Sequence, residues 1–134
     1  MAGDDDARQV PRLRGAPPKI DGSLDDEAWI QTGASETFVN YVAARVKELE
    51  TVTEAHMMYD DRALYIAFRC EEPEMDKTHP AKFTDLGGRA DQVEVAISAD
   101  EKATSYYHIR LDIANARWDS RTETGRKEHG SDIA

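Results

Sequence analysis

Three segments of the chain alternate apolar and polar side chains with a period of two, and this pattern limits the fold more than any other feature. They are Leu64–Cys70, Gln92–Ile97 and Tyr106–Ile113. A period of two is typical of a β-strand, in which successive side chains point to opposite faces. Strands of this kind, separated by turn residues such as Asp60–Ala63, predict an all-β fold, an antiparallel β-sandwich.

Each alternating segment has one face that we expect to be buried. The residues expected to point inward are Leu64, Ile66, Phe68 and Cys70, then Val93, Val95 and Ile97, then Tyr107, Ile109, Leu111 and Ile113. The opposite face of the last two segments carries Glu94, Ala96, Tyr106, His108, Arg110 and Asp112. Because cross-strand neighbours share a face, these polar side chains are expected to lie together.

Two segments have helical character. Asp21-Gly22 is a turn signal, and Ser23 or Asp25 can cap a short helical turn near residues 25–29. That turn would place Leu24, Ala28 and Trp29 on one side, in the core. In the segment Tyr41–Glu50, Val42, Val46 and Leu49 recur at helical spacing, which predicts a short amphipathic helix.

Composition excludes several classes of protein. The 134 residues suit one domain with a hydrophobic core, and the net charge of −10 repels phosphate backbones, so nucleic acid is excluded as a partner. No apolar run approaches the roughly 20 residues of a membrane-spanning helix. The single Cys70 excludes an internal disulfide, and its position in an apolar run predicts a buried thiol.

No pattern in the chain indicates an enzyme. No nucleophile elbow and no glycine-rich phosphate loop occur, and no pair of carboxylates is singled out for glycoside hydrolysis. The histidines His56, His79, His108 and His129 are widely spaced, so we assign no metal ligand. The sequence therefore predicts a protein without catalytic residues.

Three motifs occur in an order that resembles the family 9 carbohydrate-binding modules. They are KIDGSLDDEAW at Lys19–Trp29, MYDDRALYIAFR at Met58–Arg69 and DQVEVAIS at Asp91–Ser98. The resemblance runs from about Ile20 to Asp119. It implies a jelly-roll-like β-sandwich that binds glycan without catalysis and tethers a larger exported protein. We accordingly divide the chain into a flexible N-terminal segment, residues 1–18, and a carbohydrate-binding domain, residues 19–134.

The resemblance also implies the site. In the family a glutamate and an arginine hydrogen-bond the sugar, and Glu94 and Arg110 stand at matching places; the alternative is a cross-strand ion pair. His108 shares a face with Arg110 and is included as a sugar contact. Trp118, expected just past a strand end, or Tyr106 would stack on the sugar ring. For Trp118 the alternative is packing over the end of the sandwich.

The sequence departs from the family pattern at two places. Gly87–Ala90 stand where one of the family's sugar-stacking tryptophans would fall, and the polar stretch Asp119–Asp132 stands where the family continues to further strands. For Tyr41–Glu50 the family pattern favours a loop, and the polar composition of Glu71–Arg89, with its prolines and glycines, predicts a long connection. We therefore expect a sandwich that is a fragment, a shortened variant, or one completed by a partner through an open sheet edge. The second hypothesis is a protein–protein interaction or structural accessory domain that has lost the sugar site.

Location and cofactors follow from the resemblance alone. The acidic start, Met1–Asp6, lacks the apolar region of a signal peptide, which leaves a cytoplasmic protein or the mature form of an exported one. Because members of the resembled family are usually exported, we expect an extracellular or periplasmic protein. Calcium stays open as a cofactor, because some family members bind it and oxygen ligands are plentiful here. No spacing in the sequence indicates a particular calcium site.

Overall fold

The computed structural model describes residues 9–33, 40–42, 45–47, 51–78, 91–123 and 126–130. The elements are α1 (Glu27–Thr32), β1 (Asn40–Val42), β2 (Arg45–Lys47), β3 (Thr53–Tyr59), β4 (Leu64–Cys70), β5 (Gln92–Ile97), β6 (Ser105–Asp112), β7 (Arg117–Glu123) and β8 (Arg126–Gly130), with a 3-10 turn at Met75–Lys77. The described chain is thus mostly β, with one short α-helix and antiparallel sheets, and this confirms the predicted fold class.

The chain divides into two compact units, Met1–Pro73 and Glu74–Ala134. The first unit contains α1 and two hairpins, β1-β2 and β3-β4. The second contains a four-stranded sheet in the order β5-β6-β7-β8, in which each strand is antiparallel to the next. The predicted division of the chain at residues 18 and 19 stays a prediction.

The core of the first unit forms where α1 meets β3. Trp29 and Met58 are 2% and 1% exposed, and Ala28 is also buried. Leu13, Leu24, Tyr65 and Ala67 pack against this cluster. The grouping of Leu24, Ala28 and Trp29 was predicted from the sequence, and the structure confirms it. Because a helix of six residues is marginal by itself, burial of Trp29 is what stabilises α1.

The capping of α1 differs from the prediction. The helix begins at Glu27, and Asp26, not Ser23 or Asp25, occupies the N-cap position. The Asp26 carboxylate makes no cap hydrogen bond; instead its Oδ2 accepts the backbone N–H of Lys19 at 2.7 Å. Ser23 belongs to the turn before the helix, where its backbone N–H donates a hydrogen bond to Oδ1 of Asp21. The Asp26 carboxylate therefore connects the start of α1 to Lys19, in the segment that precedes the helix.

The predicted helix over Tyr41–Glu50 is wrong for the residues described there. Asn40–Val42 and Arg45–Lys47 form an antiparallel pair, with Tyr41 opposite Val46. Tyrosine and valine favour strands, and three apolar residues at helical spacing are too few to stabilise an isolated helix. The remaining residues of this segment, and most of the predicted loop Glu71–Arg89, lie outside the described residues.

The predicted buried side of β4 is only partly right. Ile66 and Phe68 are half-buried as expected, but Leu64 is 44% exposed and Cys70 is exposed. On the other side, Tyr65 and Ala67 pack against the Trp29 cluster, because Tyr65 is the cross-strand partner of Met58 and directly opposed residues share a face. The more apolar face of β4 is therefore not the one that α1 covers, and the prediction of a buried Cys70 thiol is wrong.

Alternation correctly predicts the sides of β5. Val93, Val95 and Ile97 are half-buried, and Glu94 and Ala96 are exposed. On β6 the prediction is only partly right. Ile109 is half-buried, but Tyr107 is 50% exposed, Leu111 is 38% exposed and Ile113, beyond the strand, is 51% exposed.

The opposite face of β6 is the more buried one, although it is polar. Asp112 is 6% exposed, and Tyr106, His108 and Arg110 are half-buried. Asp112 tolerates burial because its Oδ1 accepts the backbone N–H groups of Ala114 and Ala116 in the turn that follows. That turn, with Asn115 at a φ of 59°, leads directly into β7.

The polar stretch after Trp118 contains strands. Trp118 is the second residue of β7 and does not follow a strand end as predicted. β7 pairs with β6 on one side and with β8 on the other. These strands have no apolar face for periodicity to reveal, so backbone pairing with a neighbouring strand decides their conformation.

Candidate functional site

The five residues predicted to contact sugar lie on one face of the sheet in the second unit. Glu94 is on β5, Tyr106, His108 and Arg110 are on β6, and Trp118 is on β7. Gln92, Asp112 and Ser120 share this face by register. We call these eight residues the Glu94 face.

The centre of the Glu94 face is a row of three residues across three strands. Glu94 is the cross-strand partner of Arg110, and Arg110 is the partner of Trp118. The pairing of Glu94 with Arg110 was predicted from the hairpin, and the register confirms that they are opposite. The addition of Trp118 to the row follows from the short turn between β6 and β7, which sets that register.

Glu94 contacts two basic side chains of β6. Nε2 of His108 lies 2.8 Å from Oε2 of Glu94, and because a carboxylate can only accept, the imidazole donates. Nε of Arg110 lies 3.4 Å from Oε1 of Glu94, as an ion pair. The Glu94 side chain is 42% exposed, against 20% for His108 and 26% for Arg110. Of these three side chains, that of Glu94 is therefore the one that solvent or a ligand reaches most readily.

Trp118 contacts the same two basic residues. The guanidinium carbon of Arg110 lies 4.7 Å from the centre of the Trp118 ring, a distance typical of a cation–π interaction worth about 0.5–2 kcal/mol. The imidazole of His108 meets the indole edge-on, with ring centres 5.5 Å apart and an interplanar angle of 87°. Trp118 therefore packs within the Glu94 face, beside the two side chains that contact Glu94.

Gln92 is a member of this group that the sequence analysis missed. Its Nε2 donates a hydrogen bond of 2.7 Å to Oε1 of Glu94. Gln92 precedes Glu94 by two residues on the same strand, so the period of two already placed both side chains on one face. The neutral Gln92 amide has neither the charge nor the aromatic ring that marks the other members, but the period of two was enough to identify it.

Tyr106 lies farther along the Glu94 face. It is half-buried and opposite Thr122 of β7, two residues before His108. Among the contacts described for this part of the chain, none joins Tyr106 to Glu94 or Arg110. The structure thus brings Glu94, His108, Arg110 and Trp118 into one contact group and leaves Tyr106 beside it on the same face.

The group is suited to hydrogen bonding with hydroxyl groups. An ionised carboxylate has about four acceptor positions, and the hydrogen bonds from Gln92 and His108 occupy two of those of Glu94. The carboxylate can therefore accept a further donor at an oxygen already held in place. The Arg110 guanidinium supplies several N–H donors in a rigid plane. An acceptor and a donor fork side by side can bind two adjacent hydroxyls.

Other kinds of site have no support among the described residues. In that part of the chain, no group of three or more histidine, cysteine, aspartate or glutamate side chains could hold a metal ion. Calcium therefore gains no set of ligands from the structure. The helices described are also too short and too polar to cross a membrane.

Comparison with known families gives one match. The family model of the carbohydrate family 9 binding domain-like proteins matches residues 20–133, which is most of the chain. Among the curated proteins and the solved structures, none matches. Domains of this family are non-catalytic β-sandwiches, in agreement with the predicted fold and with the predicted absence of catalysis. The chain belongs to the carbohydrate family 9 binding domain-like family, and this family implies a carbohydrate ligand.

Proposed function

We propose that the Glu94 face binds glycan and that this binding tethers a larger exported protein to its carbohydrate. The observation that carries the proposal is the environment of Glu94. Its side chain is 42% exposed, and its carboxylate is approached by Gln92, His108 and Arg110. A carboxylate fixed in this way loses little conformational freedom when a ligand binds, which favours affinity.

Each polar group has a distinct role in the proposed complex. Glu94 accepts a hydrogen bond from one sugar hydroxyl, and Arg110 donates to the adjacent one. An aromatic ring packs on the apolar C–H face of the sugar, and the aromatic rings of the Glu94 face belong to Tyr106 and Trp118. His108 and Gln92 hold the carboxylate, and His108 also lies near enough to contact the ligand.

Tethering fits the modest affinity expected of such a site. One sugar ring offers few contacts, so a single complex is weak. A glycan carries many equivalent sugars, and a domain joined to a larger protein needs only to keep that protein near its carbohydrate. Because the proposed role is to hold an exported protein at its glycan, the proposal includes an extracellular or periplasmic location.

The test compares Glu94→Ala with Glu101→Ala. Glu101 is an exposed glutamate in the turn between β5 and β6, so its variant makes the same change outside the Glu94 face. Retention on insoluble cellulose and xylan is measured, together with amide NMR spectra in the presence of glucose, xylose, cellobiose and xylobiose. We expect Glu94→Ala to lose retention and sugar-dependent shifts while Glu101→Ala keeps both. Equal retention by the two folded variants would contradict the proposal.

A second candidate function is protein–protein interaction, and one observation favours it. The other face of β6 exposes apolar side chains: Tyr107 is 50% exposed and Leu111 is 38% exposed. Exposed apolar patches mark interaction surfaces. If this face joins two copies of the chain, sedimentation shows a dimer that Leu111→Lys dissociates. A monomer at all concentrations would remove this candidate.

A further inference from the structure

Four side chains of the Glu94 face close a ring of contacts. Glu94 is hydrogen-bonded to His108, His108 meets Trp118 edge-on, Trp118 lies under Arg110, and Arg110 is ion-paired with Glu94. Each member therefore touches two others, and they come from three adjacent strands. In such a ring the position of one side chain depends on the rest.

The position of Arg110 is the least explained by hydrogen bonding. Its Nε is buried and has no hydrogen-bond partner among the described residues, although Oε1 of Glu94 lies 3.4 Å away. The ion pair attracts the guanidinium but does not fix its plane, since no N–H of this nitrogen is aimed at the carboxylate. Among the described contacts of the guanidinium, the one that can fix its plane is the Trp118 ring, 4.7 Å from the guanidinium carbon.

This contact bears on how Trp118 can act in sugar binding. The indole face that Arg110 covers is not available to a sugar ring while Arg110 stays there. A sugar stacked on that face would have to displace the guanidinium, and displacement would also remove the donor that binds the sugar hydroxyl. Stacking on this face and donation by Arg110 are therefore mutually exclusive.

We infer that Trp118 is a positioning residue, which holds the Arg110 guanidinium beside Glu94, and that its covered face is not a stacking platform. The inference rests on the proposed function, since it assigns how the sugar-binding pair is kept in place. The sequence left two roles open for Trp118, stacking on the sugar ring and packing over the end of the sandwich. The positioning of Arg110 is a different role, and only the pairing of β6 with β7 reveals it.

The first experiment uses the free protein. The Nε–H signal of Arg110, assigned by its loss in Arg110→Lys, is recorded in a proton–nitrogen NMR spectrum. A guanidinium over an indole ring gives a signal shifted upfield by the ring current. We expect this shift in the parent protein and in Trp118→Phe, which keeps an aromatic ring, and its loss in Trp118→Leu. An unshifted Arg110 signal in the parent protein would overturn the inference, whether or not the variants fold.

The second experiment adds cellobiose or xylobiose to saturation. If Trp118 positions Arg110, the upfield shift persists in the complex, and Trp118→Leu weakens binding about tenfold whereas Trp118→Phe changes it less than about threefold. If the sugar takes the covered face, the Arg110 signal loses its shift on binding, and the inference is wrong. If neither sugar binds the parent protein, the proposed function fails for these ligands, and the free-protein spectra still decide the role of Trp118.

Discussion

His108 reaches Glu94 diagonally across the strands: its Nε2 lies 2.8 Å from Oε2 of Glu94, although the two residues are not directly opposed. The residue opposite His108 is Ala96, and the residue opposite Glu94 is Arg110. A diagonal contact spans a longer distance than a direct one and needs a long side chain and free space. Ala96 presents only a methyl group, so the imidazole has room to lean toward Glu94.

Gln92→Ala tests whether the support of Glu94 matters for binding. The change removes the 2.7 Å hydrogen bond to Oε1, so the carboxylate becomes less fixed. We expect the Kd for a bound sugar to rise about fivefold, the equivalent of about 1 kcal/mol. Isothermal titration calorimetry measures the effect. Gln31→Ala is the matched control, because Gln31 donates a similar bond to Glu27 within α1; an equal loss in both variants would show that the effect is not local.

Met58→Ala tests the core of the first unit. Met58 is 1% exposed and packs with Trp29, so its truncation leaves a cavity. We expect the free energy of unfolding to fall by about 2–5 kcal/mol. The measurement is urea denaturation followed by circular dichroism. Met75→Ala makes the same change at a residue that is 63% exposed and should alter stability by less than about 0.5 kcal/mol. Similar losses in the two variants would argue against this core.

His56→Leu is expected to stabilise the protein. His56 is buried on β3, and within the described part of the chain neither ring nitrogen has a hydrogen-bond partner; the Glu54 carboxylate stays 3.9 Å from Nε2. A buried polar group without a partner is costly, so an apolar side chain of similar size should raise the free energy of unfolding by about 1 kcal/mol. His108→Leu is the comparison and should not stabilise, because Nε2 of His108 is bonded to Glu94. A loss of stability in His56→Leu would contradict this prediction and would mean that the imidazole nitrogens form hydrogen bonds in solution.

Asp60→Asn tests the hairpin between β3 and β4 through pH. The backbone N–H of Arg62, that of Ala63 and the Tyr65 hydroxyl all donate to the Asp60 carboxylate, and they hold its pKa below the ordinary value of 3.8. A carboxyl group whose pKa is lower in the folded state stabilises the fold at pH values above its unfolded-state pKa. This stabilisation is lost as the pH falls through its folded-state pKa. We expect a lower Tm for Asp60→Asn at pH 7.

The pH dependence separates this effect from a general one. As the pH falls below the ordinary value of 3.8 the unfolded chain takes up the proton first, and folded Asp60 does so only at its own lower pKa, so the Tm difference between the parent protein and Asp60→Asn should shrink over this range. Thermal denaturation at several pH values measures it. Asp61→Asn removes only an exposed pair with Arg12 and should change the Tm little at any pH. A Tm difference for Asp60→Asn that is constant with pH would contradict the role of the carboxylate charge.

Local patterns predicted the parts of the site that lie on one hairpin. The period of two placed Glu94 on one face of β5 and His108 with Arg110 on one face of β6, and the hairpin between them made Glu94 and Arg110 opposite. The same argument could have identified Gln92. It could not place Trp118 opposite Arg110, because that position depends on the pairing of β7 with β6, and the polar sequence of β7 has no periodicity from which to read its register.

The sequence by itself determined the class of the protein: alternating segments and the order of three motifs lead to an antiparallel β fold and to its carbohydrate-binding family. Only the tertiary structure decided which side of β4 α1 covers, which face of β6 is the more buried, that residues 40–47 contain strands, and that Trp118 lies against Arg110. The physical reason is the same in each case. Periodicity marks two faces of a strand, but the contacts made by neighbouring elements decide which face packs and which residues meet.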